Sequence, residues 1–243
     1  AGAKDGELEN AIRAIVAEAE KVKRYGFTES ELERAKANYS SNMEQTYNER
    51  EKLRSSYFTG ALQNHFLTDE AYPGIEAEYM LMQQIMPMIT LEQINAYAQT
   101  LPTEENVVLA VMMPQKEALA IPTKEALLEI FNSARMAEVE PYQETLSNEP
   151  LISHEIKAGK VVSEIAEPMS NGKVWSLSNG ATVVFKKTDF KEDQILFRAS
   201  SRGGHSLFDT EDIVSTKVVT DLVSLGGLGN FSTSDLRKVL AGK

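Results

Sequence analysis

Apolar residues in the first part of the chain recur with the period of an α-helix. Between residues 8 and 22 they stand three or four positions apart, and Gly26 comes next, where helices commonly end. Thr28-Glu29-Ser30-Glu31 and Thr90-Leu91-Glu92-Gln93 have the spacing of capping boxes, which satisfy exposed N–H groups at helix starts. The predicted helices span about 8–25, 28–54, 55–67, 73–86, 90–101 and 123–136.

Two later regions have the patterns of β-strands. The apolar run at 106–113, closed by Pro114, predicts a fully buried strand. From Lys173 onward, short apolar runs flank the pair Asn179-Gly180, which is a strong hairpin signal. The predicted elements here are strands at about 173–177, 181–187 and 194–200, and then helices at about 212–225 and 232–240.

Residues 137–172 lack any helical stripe and are punctuated by Pro141, Pro150, Gly159, Pro168 and the pair Asn171-Gly172. A segment of this length without elements of its own indicates a domain boundary. The sequence therefore predicts a mostly helical part at 1–136, a linker at 137–172 and a further domain opening at 173–243. Helices packed on a mixed, mostly antiparallel sheet make the predicted class α+β.

Charge and composition exclude several classes of function. Residues 1–150 hold 13 Lys and Arg against 25 Asp and Glu, whereas 151–243 hold 12 against 11. An acidic surface repels phosphate backbones, so nucleic-acid binding is not expected. The chain has no cysteine, which excludes disulfides, thiolate catalysis and Cys-ligated zinc. No apolar run is long enough for a membrane span, and the first residues show no signal-peptide pattern.

Candidate catalytic groups are sparse. His65, His154 and His205 are far apart in sequence, so no pair forms the H-E-x-x-H or H-x-x-E-H spacing that places two zinc ligands on one helix face. There is no G-x-S-x-G elbow, and the glycines at 203–204 and 226–229 fit neither a dinucleotide fingerprint nor a P-loop. We therefore expect no catalytic, cofactor-binding or metal-binding residue in this chain.

Several stretches, in order, resemble the insulinase/pitrilysin-like metallopeptidases, specifically the large bacterial members with four homologous domains. Leu177-Ser178-Asn179-Gly180-Ala181-Thr182-Val183 is similar to the strand hairpin that opens such a domain, and the segments at 201–207, 225–229 and 236–243 resemble later stretches of the third domain in this family. Upstream, 26–36, 89–95 and 106–113 are similar to the second half of such a domain.

The resemblance implies that 1–136 ends the second domain and that 173–243 opens a third, non-catalytic domain. In this family the first domain carries H-x-x-E-H and a distant Glu, which bind zinc and activate water. The corresponding helix here, Val214–Leu222, offers no histidine and one carboxylate, Asp221. Zinc is thus implied for another part of the parent protein, and no family catalytic residue maps onto this chain.

The resemblance further implies a zinc endopeptidase that cleaves peptides in a closed chamber, with this segment forming chamber wall and hinge. Its implied partners are a peptide substrate and the remaining domains of the same chain, and a periplasmic location is suggested by the family alone. A catalytically inert scaffold or peptide-binding relative of the same fold is the alternative, and an independent solute-binding domain is a third possibility.

Overall fold

The computed structural model describes residues 2–101, 106–114, 116, 119–144, 149–191 and 194–243. The chain divides into two compact units. The first unit comprises Ala1–Lys36 with Gln83–Thr145, and the second comprises Ala37–Met82 with Leu146–Lys243. The described elements are helices and one antiparallel sheet, which confirms the α+β class.

The helices form where the periodicity predicts them, with shifted ends. The predicted helix at 28–54 ends at Asn48, and a 3₁₀ turn at Arg50–Lys52 comes after it. Pro73 precedes the next helix instead of standing in its first turn. The helices are α1 (Leu8–Tyr25), α2 (Glu29–Asn48), α3 (Ser55–Thr68), α4 (Ile75–Ile85), α5 (Leu91–Ala98) and α6 (Lys124–Met136).

The core of the first unit lies between α1 and α6. Ile12, Val16 and Ala134 are buried there, and four partly buried apolar side chains surround them. The helical stripe on α1 therefore faces α6, and burial of such side chains contributes about 1.5–3 kcal/mol each. The surrounding residues are Leu8, Leu127, Ile130 and Phe131.

The turn after α1 is fixed by a close approach to α5. Gly26 has φ 71° and ψ −164°, a conformation open essentially to glycine alone. Asn95 of α5 accepts a hydrogen bond from the Phe27 amide at 2.7 Å and donates to the Phe27 carbonyl at 3.2 Å. The capping box between Thr28 and Glu31 is also present, because the Glu31 carboxylate accepts from the Thr28 amide at 2.8 Å.

The second unit contains the sheet, with strand order β1-β2-β3 and antiparallel pairing throughout. Its strands are β1 (Val161–Glu167), β2 (Gly172–Leu177) and β3 (Thr182–Phe185). The predicted hairpin is confirmed, with Gly180 at φ 85° between β2 and β3. Trp175 and Phe185 stack with their ring centroids 5.1 Å apart.

One strand lies inside the segment that the sequence assigned to a linker. β1 pairs with β2 from Val161 to Glu167, and Asn171, at φ 55°, stands in the turn between them. The Glu167 carboxylate caps this turn by accepting from the Met169 and Ser170 amides at 3.2 and 2.6 Å. The expectation that 137–172 has no elements of its own was therefore wrong here, since Pro168 and Asn171 belong to a hairpin turn.

The strands predicted at 106–113 and 194–200 are not formed among the described residues. Neither stretch is paired with a neighbouring strand among the described residues. A β-strand of a sheet is defined by such hydrogen bonds to a neighbour. Ile195, Leu196 and Phe197 are 92, 87 and 87% exposed.

The two C-terminal helices are confirmed as α7 (Ile213–Gly226) and α8 (Thr233–Val239). Gly227 ends α7 at φ 85°, and a Cβ atom there would meet the Phe231 carbonyl oxygen at 2.0 Å, so the position requires glycine. Ser232 and Asp235 form a capping box at the start of α8.

Candidate functional site

The glycine-rich turn before α7 is where the family resemblance would place the start of a zinc-binding region. His205 lies in a 3₁₀ turn at Gly204–Leu207, and its Nδ1 is 3.2 Å from Oγ1 of Thr216. Thr216 donates its hydroxyl proton to the Ile213 carbonyl at 2.9 Å. With its own proton directed to Ile213, the Thr216 hydroxyl oxygen can accept a hydrogen bond from Nδ1 of His205.

Helix α7 itself presents apolar side chains. Val214, Leu222 and Leu225 are 76, 61 and 74% exposed, and the carboxylate of Asp221 is exposed as well. Zinc in proteins requires three or four nitrogen, sulfur or oxygen ligands that converge on one point. The residues of α7 do not provide such a set, and the helix is suited instead to packing against another apolar surface.

The three histidines have separate local roles. The Nδ1 of His65 lies 2.7 Å from the Glu70 carbonyl oxygen at the end of α3, and His154 is exposed in the chain before β1. Within the described part of the chain, no group of three or more His, Cys, Asp or Glu residues could hold a metal ion. The described residues therefore do not offer the converging ligands that zinc requires.

A carboxylate with a lowered pKa lies on the sheet, at a position that the sequence patterns did not single out. Glu164 of β1 accepts hydrogen bonds from Lys173 Nζ and from the indole Nε1 of Trp175, both at 2.7 Å. The Lys173 hydrogen bond first, and the Trp175 hydrogen bond second, lower the pKa of Glu164. Cross-strand pairing of Glu164 with Trp175 explains the contact, and recognising it required β1 to be identified.

A buried carboxylate in the first unit is also engaged. Glu20 is 6% exposed, and Arg24 and Arg135 approach it at 3.2 and 3.4 Å. Arg24 also donates to the carbonyls of Arg135 and Ala137 at 2.6 and 2.9 Å. These bonds join α1 to the C-terminal end of α6 around the buried carboxylate of Glu20.

In the second unit, an arginine covers a pair of stacked tyrosines. The rings of Tyr47 and Tyr79 are 4.4 Å apart, and the guanidinium of Arg50 lies 4.4 Å from the Tyr47 ring centroid. Arg50 also pairs with Glu76 at 3.3 Å. The arrangement joins the end of α2 to α4 by stacking and cation–π attraction.

Two cavities border the extended residues 107–114 of the first unit. One, of about 350 Å³, lies between residues 109–114, the first turns of α1 and residues 2–6. The other, of about 330 Å³, is bordered by Val107, Phe131 and the Glu20–Arg135 pair. Both are lined mainly by apolar side chains and offer no cluster of catalytic groups, so they are suited to holding apolar atoms.

None of the described helices is both long enough and apolar enough to cross a membrane.

No family model matches this chain. Two curated proteins nevertheless align with nearly all of it. The zinc protease PQQL-like protein of Arabidopsis thaliana is 27% identical over 221 residues, which cover 91% of this chain and 23% of the relative. The probable zinc protease PqqL of Escherichia coli is 22% identical over 244 residues, which cover 97% of this chain and 25% of the relative.

The chain thus spans about a quarter of the length of these curated relatives. The periplasmic protease PqqL from Escherichia coli, as a solved structure, is 20% identical with a TM-score of 0.48, covering 97% of this chain and 26% of that one. Both sequence relatives are named as zinc proteases, which bears out the resemblance to insulinase/pitrilysin-like metallopeptidases, and the chain aligns with a segment of each relative.

Proposed function

We propose that this chain is a non-catalytic portion of a zinc metalloendopeptidase, in which it forms part of the wall of a closed peptide chamber and a hinge between domains. The observation that supports the proposal is the alignment of 91% of the chain with a protein named as a zinc protease. Because that relative is about four times longer than the aligned stretch, catalysis is assigned to other parts of the protein.

Within this proposal, residues 1–136 are the C-terminal part of one peptidase-like domain, and residues 173–243 are the N-terminal part of the next. Residues 137–172 connect the two domains. Helix α7 takes the place of the zinc-binding helix of a catalytic domain, with apolar residues in place of ligands. The exposed Val214, Leu222 and Leu225 support a packing role for this helix. No residue of the chain is assigned to catalysis, to a cofactor or to a metal.

Zinc and the peptide substrate belong, in this proposal, to the complete protein. When bound in the first domain, zinc would lower the pKa of its water and polarise the scissile carbonyl. A periplasmic or otherwise exported location is proposed because the E. coli relative, PqqL, is described as a periplasmic protease.

Zinc content and peptide hydrolysis test the proposal together. The complete polypeptide that contains this chain should hold zinc stoichiometrically and cleave a quenched fluorescent peptide library, and a chelator should stop cleavage. The 243-residue chain, expressed alone, should hold no stoichiometric zinc.

Each result has a clear meaning. Stoichiometric zinc in the 243-residue chain would show that the ligand assignment is wrong. A complete protein without zinc and without hydrolysis would favour an inert scaffold or a peptide-binding relative of the same fold.

A further inference from the structure

Two asparagines in the chain are followed by glycine, in the pairs Asn171-Gly172 and Asn179-Gly180. In such a pair the main-chain nitrogen of the glycine can attack the side-chain carbonyl carbon of the asparagine, because glycine has no side chain to shield that nitrogen. The first pair stands between β1 and β2, and the second stands between β2 and β3. Their surroundings differ, so one pair serves as the reference for the other.

The side chain of Asn179 is folded back over its own main chain. Its Oδ1 accepts a hydrogen bond from the Ala181 amide at 3.1 Å, which is the arrangement of an Asx turn. The ring closed by this bond contains the Gly180 nitrogen, so Cγ of Asn179 is turned toward the atom that would attack it. The Ala181 N–H also donates to the oxygen on which negative charge develops during attack, and a donor placed in this way stabilises that charge.

The surroundings of this pair are open to water. Asn179 and Gly180 are exposed, and no atom lies within 4 Å of a Cβ atom added to Gly180. The Gly180 amide donates to the Leu177 carbonyl at 2.9 Å, and this hydrogen bond must open before the nitrogen can attack. Such local opening costs least at an exposed turn. The tip of the β2–β3 hairpin therefore permits the attack.

The other pair is more constrained. Gly172 begins β2, lies opposite Glu167 and is half-buried. A Cβ atom at Gly172 would lie 2.7 Å from the Phe185 carbonyl oxygen, so the backbone is crowded there. Among the described residues, no hydrogen-bond donor approaches the side-chain oxygen of Asn171. Asn171 thus lacks the donor that Asn179 has, and its glycine belongs to a paired strand.

We propose that Asn179 is a site of spontaneous deamidation. The Gly180 nitrogen loses its proton to water and forms a bond to Cγ of Asn179, the bond from Cγ to Nδ2 breaks, and ammonia leaves. The product is a cyclic succinimide, which water opens at either of its carbonyl groups to give aspartate or isoaspartate. The sequence of steps needs no oxidant or reductant. Both products carry a negative charge that asparagine lacks, and isoaspartate also lengthens the main chain by a methylene group.

Isoaspartate at position 179 alters the hairpin. The Leu177 amide donates to the Ala181 carbonyl at 2.8 Å across the turn, and Asn179 lies between these residues. The length of a hairpin turn sets the register of its two strands, so a longer main chain here disturbs the pairing of β2 with β3. The modification therefore makes the stability of the second unit decline with the age of the protein.

Incubation of the complete polypeptide at mildly alkaline pH tests the proposal. Timed samples are digested, the peptides are resolved by mass spectrometry, and enzymatic methylation of isoaspartyl carboxyl groups is the second readout. We expect Asn179 to convert faster than Asn171, by about tenfold, with isoaspartate among the products. Conversion of Asn171 at an equal or higher rate, or the absence of conversion at Asn179, would overturn the proposal.

A matched pair of substitutions tests the role of the Ala181 amide. Ala181→Pro removes the N–H group that donates to Asn179, whereas Ala181→Gly removes the side chain and keeps that group. Conversion of Asn179 should be about fivefold slower in Ala181→Pro than in Ala181→Gly, because a hydrogen bond to the developing charge is lost. A rate in Ala181→Pro equal to or above that in Ala181→Gly would show that the amide has no such role.

Hydrogen exchange tests the structural consequence. After incubation, the amides of residues 182–185 in β3 should exchange faster than in fresh protein, because their pairing with β2 is disturbed. Asn179→Gln should prevent this change, since the longer side chain places its carbonyl carbon out of position for the same ring closure. Unchanged exchange in protein that has converted at Asn179 would refute the consequence for the hairpin.

Discussion

Replacement of Gly26 by alanine should be among the most damaging single substitutions in the first unit. The residue has φ 71° and ψ −164°, a region that costs a residue with a side chain about 1–3 kcal/mol. A methyl group at this position would lie 2.4 Å from Cγ and 2.5 Å from Oδ1 of Asn95. Asn95 must therefore move, and its two hydrogen bonds to Phe27 would be lost.

The expected loss of stability is the sum of the backbone strain at residue 26 and the loss of the two Asn95 hydrogen bonds. Two hydrogen bonds contribute about 1 kcal/mol each, so the expected loss in the free energy of unfolding is about 3–5 kcal/mol for Gly26→Ala. Gly60→Ala is the matched control because Gly60 lies inside α3 with no atom within 4 Å of an added Cβ. Alanine there should stabilise the helix by about 0.5–1 kcal/mol.

Urea unfolding monitored by helical circular dichroism measures both variants. The double variant Gly26→Ala with Asn95→Ala separates the steric effect from the backbone effect, because removing the Asn95 side chain removes the clash. We expect the double variant to lose less stability than the sum of the two single variants. Unfolding of Gly26→Ala at the same urea concentration as the unchanged chain would refute the reasoning.

Two further predictions concern charged groups. The Lys173 and Trp175 hydrogen bonds lower the pKa of Glu164. The ionised Glu164 therefore stabilises the hairpin fully at pH values above the ordinary carboxyl pKa, and this stabilisation is lost as the pH falls through the lowered pKa. The NMR signal of the indole N–H of Trp175, the single tryptophan, should therefore shift as Glu164 becomes protonated. Glu164→Gln should abolish this pH-dependent shift, whereas Glu155→Gln should leave it unchanged. Glu20→Gln should lower the free energy of unfolding, measured by thermal unfolding, by about 3 kcal/mol because it leaves Arg24 and Arg135 without their buried carboxylate. A loss no larger than that of Glu18→Gln would contradict a stabilising role for Glu20. Glu18 is the control, since its side chain is 71% exposed and its pair with Lys21 contributes less than about 1 kcal/mol.

The helices could be predicted because their signals are local. The Thr90 and Gln93 capping box, for instance, is formed with both of its reciprocal hydrogen bonds. A capping side chain and its N–H group are three residues apart, so no distant contact is needed to define them. The exact ends were less predictable, since α2 stops at Asn48 where a 3₁₀ turn takes over.

The sheet was harder to predict because pairing depends on a second segment. β1 was hidden by Pro168 and Asn171, which have the composition of a linker and here form a turn. Nothing in the local sequence distinguishes Glu164 from the other acidic residues, of which there are 36 in all. Its hydrogen-bond donors lie on β2, so the contact depends on strand pairing. Its alternation with apolar Ile165 was a usable signal, although a short one.

The apolar run at 106–113 was predicted to be a buried strand, and the structure forms no strand there. The apolar pattern is still informative. A sequence position reflects the surroundings in which the protein works, and the continuous apolar character of this run indicates burial on both faces. In this chain Val108 and Met112 are instead almost fully exposed, with the adjacent backbone unpaired among the described residues. Exposure of this kind lowers stability, since each apolar side chain left in water forgoes about 1.5–3 kcal/mol. If, as proposed, this chain is part of a longer protein, exchange protection and sensitivity to introduced charge should rise in that protein at 106–113, at 194–200 and at the exposed face of α7, because all three share this character.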